Sequence, residues 1–369
     1  MDDERRARIA LACTVEPGTT GIAERLAQVG AGATLAEHAA AIERRAGSRP
    51  GPVGRLGPGE VPGMLAQMGR LGVRVLLPGD PEFPSQLLDL PEPPLALWVR
   101  GPLDLRASAL RSVAVVGSRA GTAYGQRATH ALAGGLAAEG WAIVSGAAFG
   151  IDAAAHRAAV DMSGPTIAVL ACGIDVAYPR AHDALLARIG DVGALVSELP
   201  PGSAPLKHRF LARNRVIAAL TRGTVVVEAA RRSGAIATAN RALELGRTVM
   251  AVPGPITSMA SSGTNRLLHE QSARAVADSA EVVSLLLAED PDTAADRDGP
   301  GDAGRRAPPE GVPSEALAVL PALPDRGGRP VEQIAERVGI PPAAALAHLG
   351  VLEIAGLARR AGPGWRRCG

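Results

Sequence analysis

From residue 111 onward, short solid runs of apolar residues alternate with longer stretches whose apolar positions recur at helical spacing. The runs are VAVVG (113–117), AIVSG (142–146), TIAVLAC (166–172), ALVSE (194–198), TVVVEA (224–229) and TVMAVP (248–253). Each is short and bounded by turn-forming residues, the signature of a strand buried on both faces. Between them, stretches such as Tyr124 to Glu139 and Ile151 to Asp161 read as helices. Strand alternating with helix six times predicts an α/β fold with a doubly wound, mostly parallel sheet and right-handed crossovers.

The flanks read differently. RARIALACTV and GIAERLAQVG carry helical spacing, broken at Pro17-Gly18 and Gly30-Ala31-Gly32, and a Gly/Pro-dense connector follows over 46–63. VRVLLPGD (73–80) and PEPPLALWVRG (91–101) each supply a short strand. EDPDTAADRDGPGDAG (289–304) holds six acids and one arginine among Gly and Pro, which predicts a solvated linker. Beyond it, PVEQIAERVGI and PAAALAHLGVLEIAGL form two helices around a Gly339 turn, and ARRAGPGWRR forms a β wing, together a winged helix. The expected domains are therefore a helical unit with its connector (1–69), the sheet domain (70–288), an acidic linker (289–310) and the winged helix (311–369).

Charge changes the picture only locally. The chain has 369 residues and a net charge of +2, so bulk charge excludes a polybasic tail protein but not a basic groove. Residues 205–250 concentrate nine basic residues against two acids, and Lys207 is the only lysine in the chain. No apolar run is long enough for a membrane span and no apolar signal core opens the chain, so the expected location is the cytoplasm. Cys13, Cys172 and Cys368 lie far apart with no CxxC pair. That excludes a disulfide scaffold and a zinc ribbon, and it fits a reducing compartment.

In open α/β sheets ligands bind beyond the carboxyl ends of the strands. Here those tips read GSRAGTAYG, SGAAFGID, EAARRSGAIATA and PGPITSMASSGTN, with Gly and small hydroxyl residues recurring. Four such tips on one edge suit a phosphate-bearing ligand, because bare backbone N–H groups and helix N-termini can approach it. The dinucleotide fingerprint G-x-G-x-x-G is absent at the first turn, and Walker A, HExxH and CxxC patterns are missing, so no cofactor or metal is expected. KHRFLARNR (207–215) is the densest basic stretch and has Phe210 inside it. Two readings are open: a track for single-stranded nucleic acid, with cations on phosphates and the ring on a base, or a solvated basic loop with Phe210 in the core. Ser145, Asp152 and His156 can be drawn as a triad, but all three fall on one strand-turn-helix, where Asp152 reads as a helix N-cap and His156 as locally bonded. Cys172 reads as a buried structural thiol. Glu198 and Glu228 stand at strand tips, either as a hydrolytic pair or as groups that orient basic residues and cap helices.

In order along the chain, VAVVGSR (113–119), IVSGAAFGIDAAAH (143–156), TIAVLACGIDVAYP (166–179), LVSELPPG (195–202), FLARNRVIAAL (210–220), VVVEAARRSGAIATANRALELGR (225–247) and AVPGPITSMASSGTNRLL (251–268) resemble the DNA-processing protein A family, also called DprA or Smf. The likeness covers roughly residues 70 to 285. It implies a Rossmann-like domain that binds single-stranded DNA without turnover, forms a homodimer, and helps load the recombinase RecA during natural transformation or related recombination. It also implies that residues 1–69 are an accessory domain of the SAM or helix-hairpin-helix kind. Carried over by position, the DNA-binding set is Gly117, Ser118 and Arg119; Ser145, Gly146 and Gly150; Lys207, Arg209, Phe210, Arg213, Asn214 and Arg215; and Ser233 and Gly234. Leu267 and Leu268, an apolar pair after a Gly-rich turn, are candidates for the dimer contact, with core burial as the other reading. The chain departs from the family pattern at Leu211, where proline is usual, at SGAIAT (233–238) and at HEQSA (269–273).

Two other function classes compete. A nucleotide phosphoribohydrolase of the lysine-decarboxylase-like fold shares this sheet type but needs a PGGxGTxxE turn. AVPGPITS and VVVEAARRSGA do not supply one. A winged-helix transcription factor with a ligand-sensing sheet domain rests on the C-terminal unit alone.

Overall fold

The computed structural model describes residues 2–44, 57–288, 313–324, 328–355, 357–361 and 364–367. The acidic linker predicted over 289–310, most of the Gly/Pro connector and Cys368 lie outside the described residues. The chain forms two compact units, 1–290 and 291–369.

The first unit is built on a nine-stranded sheet. Its strands are β1 (Val73–Leu76), β2 (Leu97–Arg100), β3 (Ser112–Val116), β4 (Ala142–Ser145), β5 (Thr166–Val169), β6 (Ala194–Ser197), β7 (Gly223–Val226), β8 (Thr248–Ala251) and the two-residue β9 (Arg274–Ala275). The order across the sheet is β1-β2-β6-β5-β4-β3-β7-β8-β9. All pairs from β6 to β9 are parallel, whereas β2 runs antiparallel to both β6 and β1. Sheet order reverses between β3 and β7, the topological switch point at which ligands bind in such folds.

Among the described residues of this unit the helices include α1 (Asp3–Thr14), α2 (Ile22–Arg44), α3 (Val61–Arg70), α4 (Leu105–Leu110), α5 (Ala123–Ala138), α6 (Ile151–Asp161) and α7 (Asp183–Val192). The rest are α8 (Lys207–Leu220), α9 (Gly234–Glu244), α10 (Ser262–His269) and α11 (Ser279–Ala288). Strand alternation divides the core between the two faces. Ala114 and Val116 of β3 pack with Val216, Leu220 and Ala239 of α8 and α9. Val113 and Val115 pack with Leu132, Leu136 and Ala155 of α5 and α6 on the opposite face. Sandwiching of this kind explains why each strand reads as a solid apolar run.

Helices α1 to α3 do not stand apart as the separate domain expected for residues 1–69, and fall in the same compact unit as the sheet. Ile9, Ala10 and Cys13 of α1 and Val61 and Met68 of α3 share one core with Trp98 of β2, Ala168 of β5 and Leu195 of β6. The expected break at Gly30 appears as a kink inside α2, where Gly30 has φ +79°.

The second unit has α12 (Ser314–Leu317), α13 (Val331–Val338), α14 (Pro342–Ile354) and an antiparallel hairpin of β10 (Ala358–Ala361) and β11 (Gly364–Arg367). Gly339 ends α13 in the left-handed conformation at φ +74°, the turn anticipated between the two helices. Ile334, Leu349, Leu352 and Trp365 form its core. A winged helix results.

Candidate nucleic-acid interface

A cleft of about 690 Å³ opens at the carboxyl edge of the sheet, beside the switch point. The Gly117-Ser118-Arg119 turn after β3 forms one wall and Ser233-Gly234 at the start of α9 another. Lys207, Phe210, Arg213 and Asn214 of α8 face them. The structure thus brings most of the sequence-predicted set to one place. Lys207 and Phe210 sit on the first turn of α8. Their i, i+3 spacing puts them on the same helix face. Arg119 is exposed, and its guanidinium carbon lies 5.2 Å from the centre of the Phe210 ring. Asn214 Nδ2 donates to the Gly234 carbonyl at 3.2 Å, tying α8 to the first turn of α9.

The helical period splits the basic run between two faces, and two of its arginines turn away from the cleft. Arg209 is 1% exposed; its Nη2 and Nε donate to Glu16 at 2.6 and 3.1 Å, and its Nη1 donates to the Ala204 carbonyl at 2.6 Å. Arg215 is buried, with Nη2 on Glu198 at 2.5 Å and Nη1 on the Glu92 carbonyl at 2.7 Å. Neither can offer its guanidinium to a phosphate, so the expectation that both touch DNA is corrected. A buried cation needs a partner, and the chain supplies acids from outside the basic run.

Arg213 is intermediate: it lines the cleft but is buried, donating Nη1 to the Val169 carbonyl. Burial pulls its pKa down to about 10, with Asp152 acting in the opposite direction. Burial also raises the Asp152 carboxyl, against the pull of Arg213.

Ser145 and the glycines act through shape. Ser145 is fully buried, and its Oγ donates to the Val115 carbonyl at 2.7 Å, so it joins strands and does not face the cleft. A Cβ on Gly117 would lie 2.6 Å from Ile151 Cγ1, and one on Gly146 would strike the Arg213 guanidinium. Gly150 has φ +77°, and a side chain there would run into the Ser118 carbonyl oxygen. These residues let the turns after β3 and β4 nest together, with Ile151 N–H donating to the Ser118 carbonyl at 3.1 Å.

Neither drawn catalytic arrangement survives. Gly150, not Asp152, is the N-cap of α6; Asp152 sits in the first turn and accepts the Gly146 N–H at 3.2 Å. His156 is fully buried, with Nδ1 2.8 Å from Thr166 Oγ1, as expected for a locally bonded ring. Burial lowers its pKa to about 3. Glu198 orients Arg215, and Glu228 accepts from the Thr122 N–H at 2.9 Å and Thr122 Oγ1 at 2.6 Å at the start of α5. Both carboxylates therefore serve the orienting and capping roles. Cys172 is a buried thiol, its pKa pushed up to about 11 by burial.

Leu267 is 5% exposed and belongs to the core, with Leu268 packed partly buried against the same cluster. The dimer role expected of Leu267 is therefore corrected to core burial, the other reading of the pair, while Leu268 stays half-buried. The apolar side chains that the segment does expose are Ile256, at 96%, and Met259, at 75%.

Sequence reasoning missed Tyr178, which lines the cleft and meets Phe210 with ring centres 5.5 Å apart. Its one signal was scarcity, since the chain has two tyrosines. Arg231 and Arg232, two of the nine basic residues of 205–250, are exposed beside Ala230 and Ser233 of the cleft wall.

Comparison with known proteins bears on the family and the fold. Residues 74–287 match the family model described as DNA recombination-mediator protein A, and residues 303–364 match the DprA winged helix domain. The chain is 44% identical over 316 residues to a putative DNA processing protein DprA of Mycobacterium tuberculosis, covering 80% of this chain and 77% of that protein. The solved structure of DNA processing protein A from Streptococcus pneumoniae aligns with a TM-score of 0.63 and 31% identity, over 77% of this chain and 98% of that one. That of the Helicobacter pylori protein, described for its single-stranded DNA binding mode, aligns with a TM-score of 0.53 and 29% identity, over 59% of this chain and 96% of that one. A matched family model over more than half of the chain, on a sheet whose switch-point cleft gathers the expected residues, places this chain in the DNA recombination-mediator protein A (DprA) family.

Proposed function

We propose that this chain binds single-stranded DNA along the carboxyl edge of its sheet and hands it to RecA in natural transformation or related recombination. The observation that carries the reading is the convergence of Arg119, Lys207 and Phe210 on one cleft beside small-residue turns. The Helicobacter pylori relative, described for binding single-stranded DNA, supports it.

The roles follow from chemistry. Lys207 and Arg119 hold phosphates as exposed cations, and the α9 N-terminus behind Ser233-Gly234 adds backbone N–H groups and the positive end of a helix dipole. Phe210 offers a ring to a base. Arg119 covers one face of that ring in the free protein. An exposed cation–π contact is worth only about 0.5–1 kcal/mol, so an arriving base can displace the guanidinium, which then gains a phosphate. Arg209 and Arg215 set the angle of α8 and touch no DNA. The reading is non-enzymatic, because Glu198 and Glu228 are both engaged in holding the fold. RecA as partner, a homodimer and a cytoplasmic location belong to the same proposal. No helix among the described residues is long and apolar enough to cross a membrane.

The test is binding of labelled oligo-dT and of the matching duplex across a salt series. Single strands should be preferred, with a slope of about −0.7 in log K against log salt for each phosphate neutralised. Equal affinity for duplex, or no response to salt, refutes the cleft assignment. Light scattering at micromolar protein checks the dimer, and a RecA strand-pairing assay on the bound oligomer checks the hand-over.

A further inference from the structure

Aromatic residues are scarce in this chain, at three Phe, three Trp and two Tyr, and their placement is uneven. Trp98, Trp141, Trp365 and Phe83 are all buried. Each of the other four, Tyr124, Phe149, Tyr178 and Phe210, stands on a segment that follows a strand of the sheet or begins the helix behind its carboxyl edge. Tyr124 is tethered, its hydroxyl donating to the Pro253 carbonyl at 2.6 Å. Phe149 and Tyr178 are 47% and 41% exposed.

Those two continue the line that Phe210 begins. Tyr178 touches Phe210 in a tilted pair. Tyr178 and Ala148 line the same cleft, and Phe149 is the next residue after Ala148 on the turn beyond β4. Phe149 is not loose: its ring meets His182 edge-on at 4.7 Å, and buried His182 is anchored in turn, with Nδ1 3.0 Å from the Ala147 carbonyl. Exposed rings cost solvation, and a ring braced from below in that setting is preorganised as a platform.

We propose that Tyr178 and Phe149 are further base-stacking positions, so that the bound strand runs from the β7 and β3 tips across those of β4 and β5. This rests on the single-stranded DNA reading of the cleft. The span is right for more than one nucleotide: from β7 to β5 is three inter-strand steps, about 14 Å at ~4.8 Å each. Of the exposed cations, Arg119 follows β3, Arg231 and Arg232 follow β7, and Lys207 opens α8. Stacking tolerates any base, because every base has a π-face. The extension would therefore add affinity and length dependence without sequence preference.

The test compares wild type, Phe149→Ala and Tyr178→Leu on an oligo-dT of about 16 nucleotides, near the upper site size for such grooves, and on an abasic oligomer of equal length. Each variant should bind oligo-dT about fivefold to a hundredfold more weakly, the range expected for losing one stacked base. The loss should persist at high salt and be small on the abasic strand. Unchanged binding of oligo-dT, or equal losses on both strands, overturns the extension. A Phe149→Trp variant guards against misfolding. The ring still stacks, and its emission should be quenched by oligo-dT and not by the abasic strand; unchanged emission with bound oligo-dT overturns the role of Phe149. Failure of the cleft reading looks different: wild type would then show no preference for single strands, and Lys207→Ala would bind as wild type does.

Discussion

Arg209→Ala and Lys207→Ala remove two cations that lie two residues apart on α8, and their consequences should separate completely. Arg209 is 1% exposed and donates three hydrogen bonds, two of them to Glu16. Breaking a buried ion pair from one side costs about 3–5 kcal/mol. The carboxylate left behind belongs to Glu16, whose side chain keeps 29% exposure and can be hydrated, so the lower end, about 3 kcal/mol, applies. With a urea m-value near 3 kcal/mol/M, at the top of the range for small proteins, the midpoint should fall by about 1 M. The salt dependence of oligo-dT binding should stay as in wild type. Lys207 is exposed. Its removal should move stability by no more than about 0.5 kcal/mol and flatten the salt slope by about 0.7. Urea titrations followed by circular dichroism, with anisotropy at several salt concentrations, give both readouts. An Arg209→Ala protein with an unmoved midpoint and a shallower salt slope would refute the reasoning, because Arg209 would then be the phosphate contact and the Glu16 pair incidental.

Three other outcomes follow from particular contacts. Gly150→Ala should destabilise the first unit by at least 1–3 kcal/mol and weaken DNA binding, since its φ of +77° and the Ser118 carbonyl leave no place for a Cβ; a variant as stable as wild type in urea contradicts that nesting. His156 is held neutral, with a pKa lowered to about 3 by burial, so the stability it contributes is full above its unfolded value near 6.5 and is lost as pH falls toward 3. At about 1.4 kcal/mol per pH unit, His156→Gln should remove roughly 2 kcal/mol of the decline between pH 6.5 and 5, measured by urea midpoints; an unchanged decline assigns it to other groups. Truncation after residue 290 should leave single-strand binding within a few-fold of wild type, because the two units are compact separately; loss of binding by a folded truncated protein would place part of the site in 291–369.

Much of the architecture was legible because it rests on local pattern. Strands buried on both faces must be apolar throughout, so β3 to β8 could be read directly, and Gly339 marked the winged-helix turn. The glycines of the tips were legible too, since a close approach of backbones tolerates only glycine. The identity of the cleft residues was readable down to Lys207 and Phe210. Which basic side chains face the cleft was not. Arg209, Arg213 and Arg215 are one chemical type within seven residues. Only the pitch of α8, and the acids Glu16 and Glu198 brought from distant segments, decide that two of them are struts. The same holds for Leu267: an apolar pair after a turn looks alike whether it meets a partner or its own core, and packing against the sheet settles it. Residues 1–69 read as an independent unit because their helices have their own periodicity, but the apolar faces of α1 and α3 share one core with β2, β5 and β6. Local sequence carries the period of an element and the conformational demands of its turns. Which face meets which neighbour depends on contacts between residues far apart in the chain, and those exist only once the fold has formed.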